Sequence, residues 1–117
     1  MFANPARRAS SNYGVDKDGR IGMYVEEKDR SWCSGGALTV NGISGSDNDH
    51  RAITIEVSSD DTEPYAVTPA AYESLICLLV DICRRNPGIK RLRWCGDKSL
   101  VGRPELQNMT VHRWFDY

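Results

Sequence analysis

Candidate chemistry in this sequence rests on two histidines and one glutamate. His50 and His112 are the only histidines among the 117 residues. A catalytic zinc ion is held by three protein ligands from His, Asp, Glu or Cys, with one position left open for water. No HExxH motif and no CxxC…H spacing occurs in the chain. Spacing alone therefore favours an ordinary half-buried or surface imidazole for His112 over a metal ligand.

Glu56 belongs to a segment whose alternation predicts a β-strand over residues 52–58. The apolar side chains of this segment point to one face, which belongs in the core, while Thr54, Glu56 and Ser58 point to the other. That polar face lines either bulk water or a cleft. A glutamate in a cleft can act as a general base, whereas a glutamate on an open strand face is only solvated. The residues alone leave both interpretations open.

Other side chains give weaker indications of chemistry. Trp32 stands beside a Gly-Ser stretch, where an aromatic ring can form a stacking platform or can simply cover the core. Neither a GxSxG motif nor a P-loop is present. Cys33, Cys77, Cys83 and Cys95 form no CxxC pair, and they are predicted to be free thiols in a reducing compartment.

Charge and hydropathy exclude two classes of function. With 15 basic and 16 acidic side chains the net charge is −1, so the basic surface expected of a nucleic-acid-binding protein is missing. The longest apolar stretch, residues 75–83, is interrupted by Asp81 and is too short to insert across a membrane. The N-terminal residues contain no apolar segment typical of a signal peptide, which predicts synthesis in the cytoplasm.

A β-hairpin is the first element that the pattern predicts. Strands over residues 12–16 and 21–25 flank a turn that ends at Gly19, a residue free to adopt positive φ. A long loop rich in Gly, Ser, Asn and Asp is predicted to run from residue 34 to about Arg51. Alternation predicts two further strands near the C-terminus, over residues 90–94 and 109–114.

The strongest predicted element is a helix that begins at Thr68 and Pro69. Threonine can cap the first turn, proline fits the first helical position, and Asn86-Pro87-Gly88 ends the helix. The apolar stripe predicted to face the core comprises Tyr72, Ile76, Leu79 and Cys83, widened by Leu75, Leu78 and Ile82. Strands and a helix in this order predict a single domain with an α/β (α+β) fold, a mixed β-sheet with a packed helix.

Five segments, in order, resemble the amidase_2 family of N-acetylmuramoyl-L-alanine amidases and peptidoglycan recognition proteins. Residues 10–21 (SSNYGVDKDGRI) are similar to the family's hairpin, and residues 25–36 (VEEKDRSWCSGG) to the stretch that follows it. Residues 48–57 (NDHRAITIEV) resemble the central strand, and the Thr68-Pro69 helix comes next. Residues 108–115 (NMTVHRWF) resemble the strand that carries the second zinc histidine. The resemblance is to the phage or prophage endolysin type.

This resemblance implies hydrolysis of the amide between N-acetylmuramic acid and L-alanine in bacterial peptidoglycan. In the family, a zinc ion polarises the carbonyl and activates water, and a carboxylate serves as general base. The resemblance implies that His112 is a zinc ligand and that Glu56 is the base, flanked by Thr54. The candidates for the groove that holds glycan and stem peptide are Trp32, Asn48, His50 and Arg51, for which a solvated loop is the alternative.

Departures from the family pattern limit which functional residues the resemblance can assign to this chain. The family's first zinc histidine would precede Met1 and its third ligand would follow Tyr117, so residues 1–117 are predicted to be an amidase domain that is incomplete at both ends. Cys33 replaces the histidine of the family's Trp-His pair. Zn²⁺ is expected for the complete domain, but His112 alone would not hold it tightly.

Two other hypotheses remain beside the amidase, which would be made in the cytoplasm and act on the cell wall. The first is a non-catalytic peptidoglycan-binding module, which would bind muropeptides without a metal. The second is an unrelated small α/β domain that acts through protein contacts and has no affinity for the cell wall.

Overall fold

The computed structural model describes residues 11–29, 31, 33 and 38–116. These residues combine short strands with one long helix, and they confirm the predicted α+β class. The elements are β1 (Tyr13–Val15), β2 (Ile21–Met23), β3 (Thr39–Val40), β4 (Ile43–Ser44), α1 (Gly45–Arg51), β5 (Ile55–Val57), α2 (Pro69–Arg85), one 3₁₀ turn (Lys98–Leu100) and α3 (Arg113–Asp116).

The central sheet has the strand order β2-β1-β5. β1 pairs antiparallel with β2, and it pairs parallel with β5 so that Gly14 lies opposite Glu56. The predicted hairpin is confirmed, and its turn closes through Gly19 at a φ of 89°, a conformation that glycine adopts without steric cost. The predicted strand over residues 52–58 is confirmed in its centre as β5.

Helix α2 packs on this sheet and begins where the sequence predicts. The Thr68 hydroxyl accepts a hydrogen bond from the Ala71 N–H at 3.1 Å, and Pro69 occupies the first turn. The buried face of the helix, centred on Leu78 and Ile82, joins Tyr13 and other β1 side chains in the main core. Burial of such aliphatic side chains contributes roughly 1.5–3 kcal/mol each.

The predicted core-facing stripe of α2 was wrong at its centre, because the residues that widen the stripe, Leu78 and Ile82, are the ones that are buried. Tyr72 and Ile76 are 58% and 43% exposed, whereas Leu78 and Ile82 are 6% and 4% exposed. The helix carries apolar side chains around most of its circumference, so periodicity alone did not distinguish the sheet-facing side. Ile76, Leu79 and Cys83 of the predicted stripe instead line an open groove with residues 90–92.

A second cluster of buried side chains organises the C-terminal part of the chain. Val40 from β3, Val101, Trp114 and Phe115 form this cluster, and Phe115 has no exposed surface. The Leu38 N–H donates to the Phe115 carbonyl at 3.0 Å, which fixes α3 beside the β3-β4 hairpin.

Two predicted strands do not form in the described residues, and both predictions were wrong. In residues 90–94, Lys90 has a φ of 63°, which is left-handed, and the Asn108 side chain bonds the backbone of Arg91 and Arg93. In residues 109–114, the Trp114 N–H donates to Val111, three residues back, so the chain turns into α3.

The predicted loop up to Arg51 was also wrong, because it contains β3, β4 and α1. A capping box begins α1: the Ser44 hydroxyl accepts from the Asp47 N–H at 3.0 Å, and the Asp47 carboxylate accepts from the Ser44 N–H at 3.2 Å. This short helix stands directly before β5, and it therefore positions side chains beside Glu56.

Candidate active site

Three separate segments of the chain converge on Cys33. The Cys33 N–H donates to the Asp49 carboxylate of α1 at 3.0 Å, and the Cys33 carbonyl lies 2.7 Å from Nδ1 of His112. The Cys33 thiol is hydrogen-bonded with Thr54 and lies within the electrostatic influence of the Asp49 and Glu56 carboxylates. This arrangement, here called the Cys33 cluster, joins α1, β5 and the segment before α3.

His112 is held in a defined orientation at the surface. A backbone carbonyl only accepts hydrogen bonds, so Nδ1 of His112 must carry the proton that is shared with Cys33. In a neutral imidazole the lone pair then lies on Nε2. Histidines that bind metals or carbonyl groups use this arrangement, in which a second hydrogen bond fixes the tautomer and the ring plane.

Glu56 and Thr54 share one face of their strand but differ in burial. Thr54 is 6% exposed, whereas the Glu56 side chain is exposed. The difference arises because Thr54 is covered by Ser31, whose hydroxyl lies 2.6 Å from the Thr54 hydroxyl, and by Asn12. On the polar face of this strand, Thr54 therefore lies in a closed network of buried hydrogen bonds, whereas Glu56 is exposed to solvent.

Asn12 is the centre of that closed network, and sequence reasoning did not identify it. Its side-chain oxygen accepts from the Thr54 N–H at 2.9 Å, and its own N–H donates to the Thr54 hydroxyl at 2.9 Å. Its amide nitrogen donates to the carbonyls of Val25, Glu26 and Asp29. Asn12 therefore fixes the start of β5 against the loop that leads to Cys33.

The other predicted site residues lie on α1 or outside the described residues. Asn48 is 9% exposed, and its side-chain oxygen accepts from the Thr110 hydroxyl at 3.2 Å. His50 and Arg51 occupy the exposed last turn of α1. Trp32 lies outside the described residues. The fold thus brings Thr54, Glu56 and His112 to the Cys33 cluster, with Asn48 beside them.

The donor set does not fit a catalytic zinc ion. Within the residues that the structure describes, no group of three His, Cys, Asp or Glu side chains could hold a metal. The remaining positions, 1–10, 30, 32, 34–37 and 117, contain none of these four residue types. Within the described residues the Cys33 cluster therefore supplies too few donors for a catalytic zinc ion, and no reaction step is assigned to a metal.

The Cys33 thiol is not a candidate nucleophile. Its pKa is raised to about 11, chiefly by burial and in addition by the nearby carboxylates of Asp49 and Glu56, while the hydrogen bond with Thr54 opposes the rise. Because the thiolate is the reactive form of cysteine, a raised pKa means low reactivity near neutral pH.

We therefore expect Cys33 to resist alkylation. At a pH near 8, only roughly one Cys33 side chain in a thousand would be a thiolate, and the reactive fraction grows only as the pH approaches 11. Mass spectrometry of iodoacetamide-treated protein should show modification of the exposed Cys77 well before Cys33. Equal alkylation rates at Cys77 and Cys33 would contradict the raised pKa of the Cys33 thiol.

Comparison with known proteins adds one finding. A family model described as N-acetylmuramoyl-L-alanine amidase matches residues 1–113. No curated protein and no solved structure matches the chain. Among the described residues, none of the helices has the length and apolar character needed to cross a membrane.

Proposed function

Because this chain belongs to the N-acetylmuramoyl-L-alanine amidase family, we propose that it hydrolyses the amide between N-acetylmuramic acid and L-alanine in bacterial peptidoglycan. The observation that supports this proposal is the Cys33 cluster. An exposed carboxylate on β5, Glu56, and an oriented imidazole, His112, are brought to one residue from distant parts of the chain. A carboxylate base and an oriented imidazole suit acyl-group hydrolysis.

Glu56 is the proposed general base. It takes a proton from water as the water oxygen attacks the carbonyl carbon of the lactyl group. The carbon–nitrogen bond then breaks, and the same proton is returned to the leaving nitrogen of L-alanine. The products are a free carboxyl group on N-acetylmuramic acid and a stem peptide with a free amino terminus.

The proposed substrate contacts differ in character. Thr54 and Asn48 are buried, so we assign them to holding the Cys33 cluster together rather than to touching the substrate. His50 and Arg51 are exposed in the last turn of α1, directly after Asp49, and a guanidinium group binds peptide carboxylates well. We propose these two residues, with Trp32, as contacts to the stem peptide and glycan.

The proposal also covers the cellular setting in which the protein acts. The resemblance to phage and prophage endolysins supports a cell-wall lytic role, with synthesis in the cytoplasm. It also supports a zinc ion in the site of the family, with His112 as one ligand.

A non-catalytic peptidoglycan-binding module is the second candidate. The observation that favours it is the incomplete donor set for a metal among the described residues. Such a module would keep the Cys33 cluster and bind muropeptides, but it would release no product.

The experiment that separates these candidates measures new amino termini of L-alanine in purified peptidoglycan incubated with the protein and excess zinc. We expect these termini to accumulate without new reducing sugar ends, and His112→Ala to abolish their release. Excess zinc is included because one imidazole holds the ion weakly. Muropeptide binding by calorimetry with no release would contradict the amidase proposal and would support the binding module.

A further inference from the structure

We infer that Asp49 is a positioning residue that sets the orientation of His112 through the backbone of Cys33. The inference rests on the proposed function in one respect, that His112 serves the reaction. Asp49 was not among the residues that the sequence indicated, and it has no proposed contact with the substrate.

Asp49 is buried where a carboxylate is costly. It is 2% exposed, and its Oδ2 accepts from the Cys33 N–H at 3.0 Å. Removal of an ionised carboxylate from water is strongly unfavourable unless hydrogen bonds compensate. A neutral amide would accept the same bond at a lower desolvation cost. The carboxylate provides a charge-assisted bond, which is roughly twice as strong as a neutral one.

The hydrogen bond from Cys33 to Asp49 influences His112 through the backbone of Cys33. The N–H and the C=O of Cys33 belong to neighbouring peptide planes joined at one Cα atom, so the bond to Asp49 holds that Cα beside α1 and leaves the carbonyl only the two rotations about φ and ψ. That carbonyl lies 2.7 Å from Nδ1 of His112 and determines which ring nitrogen carries the proton.

A second anchor on α1 supports the same conclusion. The side chain of Asn48, the residue before Asp49, accepts from the Thr110 hydroxyl at 3.2 Å. Thr110 precedes His112 by two residues, so adjacent positions of α1 hold both the carbonyl that orients the ring and the segment that carries it. The capping box of Ser44 and Asp47 fixes the start of this short helix.

The test observes the imidazole directly by ¹⁵N–¹H correlation spectra of the whole chain. Only two histidines contribute, and the His112→Ala spectrum identifies the His112 signals. We expect the Nδ1–H tautomer for His112 in the parent protein. Asp49→Ala should change His112 to a mixture of tautomers, while Asp49→Asn, which keeps an acceptor for Cys33, should preserve most of the Nδ1–H signal.

Asp18→Asn is the matched control, because it removes the same charge from an exposed site in the turn between β1 and β2. It should leave the His112 signals unchanged. In hydrolysis assays, Asp49→Ala should lower kcat by about 10–100-fold, the usual loss on removing a residue that orients a functional histidine. Asp49→Asn should recover most of that loss, with KM unchanged in both variants.

An unchanged His112 tautomer in folded Asp49→Ala would overturn the inference. If Asp49→Ala fails to fold, Asp49→Asn is the deciding variant. Its weaker neutral hydrogen bond to Cys33 should still shift a measurable part of His112 toward the Nε2–H tautomer. No such shift would also overturn the inference. The spectra do not depend on turnover, so an inactive protein with these tautomer changes would contradict only the proposed function.

Discussion

Replacing Glu56 with glutamine is expected to slow the release of L-alanine amino termini by about 10²–10⁴-fold, the usual contribution of a general base. Glutamine has nearly the same shape and keeps the strand position of Glu56 opposite Gly14, but it cannot take a proton from water. The loss should appear in kcat, because the base acts in the transition state and contributes little to substrate binding.

The control for this variant is Glu105→Gln, which makes the same chemical change at an exposed site in the loop before Gln107. It should leave hydrolysis unchanged. Muropeptide affinity and the melting temperature of Glu56→Gln should match those of the parent protein. Activity within about threefold of the parent would remove Glu56 from the mechanism, since such a change is far below the effect of losing a general base.

Replacing Asn12 with alanine is expected to lower the free energy of unfolding by about 3–5 kcal/mol. The variant leaves the buried Thr54 N–H without its acceptor and the carbonyls of Val25, Glu26 and Asp29 without their donor. Each unsatisfied buried group costs roughly 1–3 kcal/mol, and total domain stability is only about 5–15 kcal/mol. Urea titration followed by circular dichroism measures the effect.

Asn108→Ala is the matched comparison for the Asn12 variant. Asn108 also bridges backbone groups, bonding Arg93 N–H and Arg91 carbonyl, but its surroundings are partly exposed. Water can replace the lost bonds there, so the destabilisation should be only about 1 kcal/mol. Equal losses of unfolding free energy in the two variants would mean that burial of the Asn12 network contributes little to stability.

The hairpin, the start of α2 and the core of β5 could be predicted because their signals are local. Gly19 determines the turn, Thr68 and Pro69 determine the helix start, and alternation around Ile55 determines the strand. Each signal depends on residues within one turn or one strand, so it remains valid whatever packs around it.

The sequence contains a local signal for the start of helix α1, and the prediction of a loop did not take it into account. Ser44 and Asp47 form the Ser-x-x-Asp pattern of a capping box, but the helix that follows has only seven residues and no apolar stripe. Its polar composition indicated a loop. The helix is stable because Asn48 and Asp49 bond other segments, and those bonds depend on the tertiary structure.

The network around Thr54 could not be predicted from the sequence for a similar reason. Asn12 lies 42 positions from Thr54, and Ser31 lies 23 positions from it. Nothing in the local pattern of any of these residues indicates burial. The roles of Glu56 and His112 came from the resemblance, and no spacing rule links them, because the residue that joins them is Cys33.

The most direct test of the central claim is digestion of a defined muropeptide, N-acetylmuramic acid linked to its stem peptide, in H₂¹⁸O with excess zinc. Mass spectrometry then locates the heavy oxygen. The account predicts one label in the lactyl carboxyl of N-acetylmuramic acid, a stem peptide with a free L-alanine amine, and loss of both products in Glu56→Gln. Intact muropeptide, or label at any other bond, would contradict it.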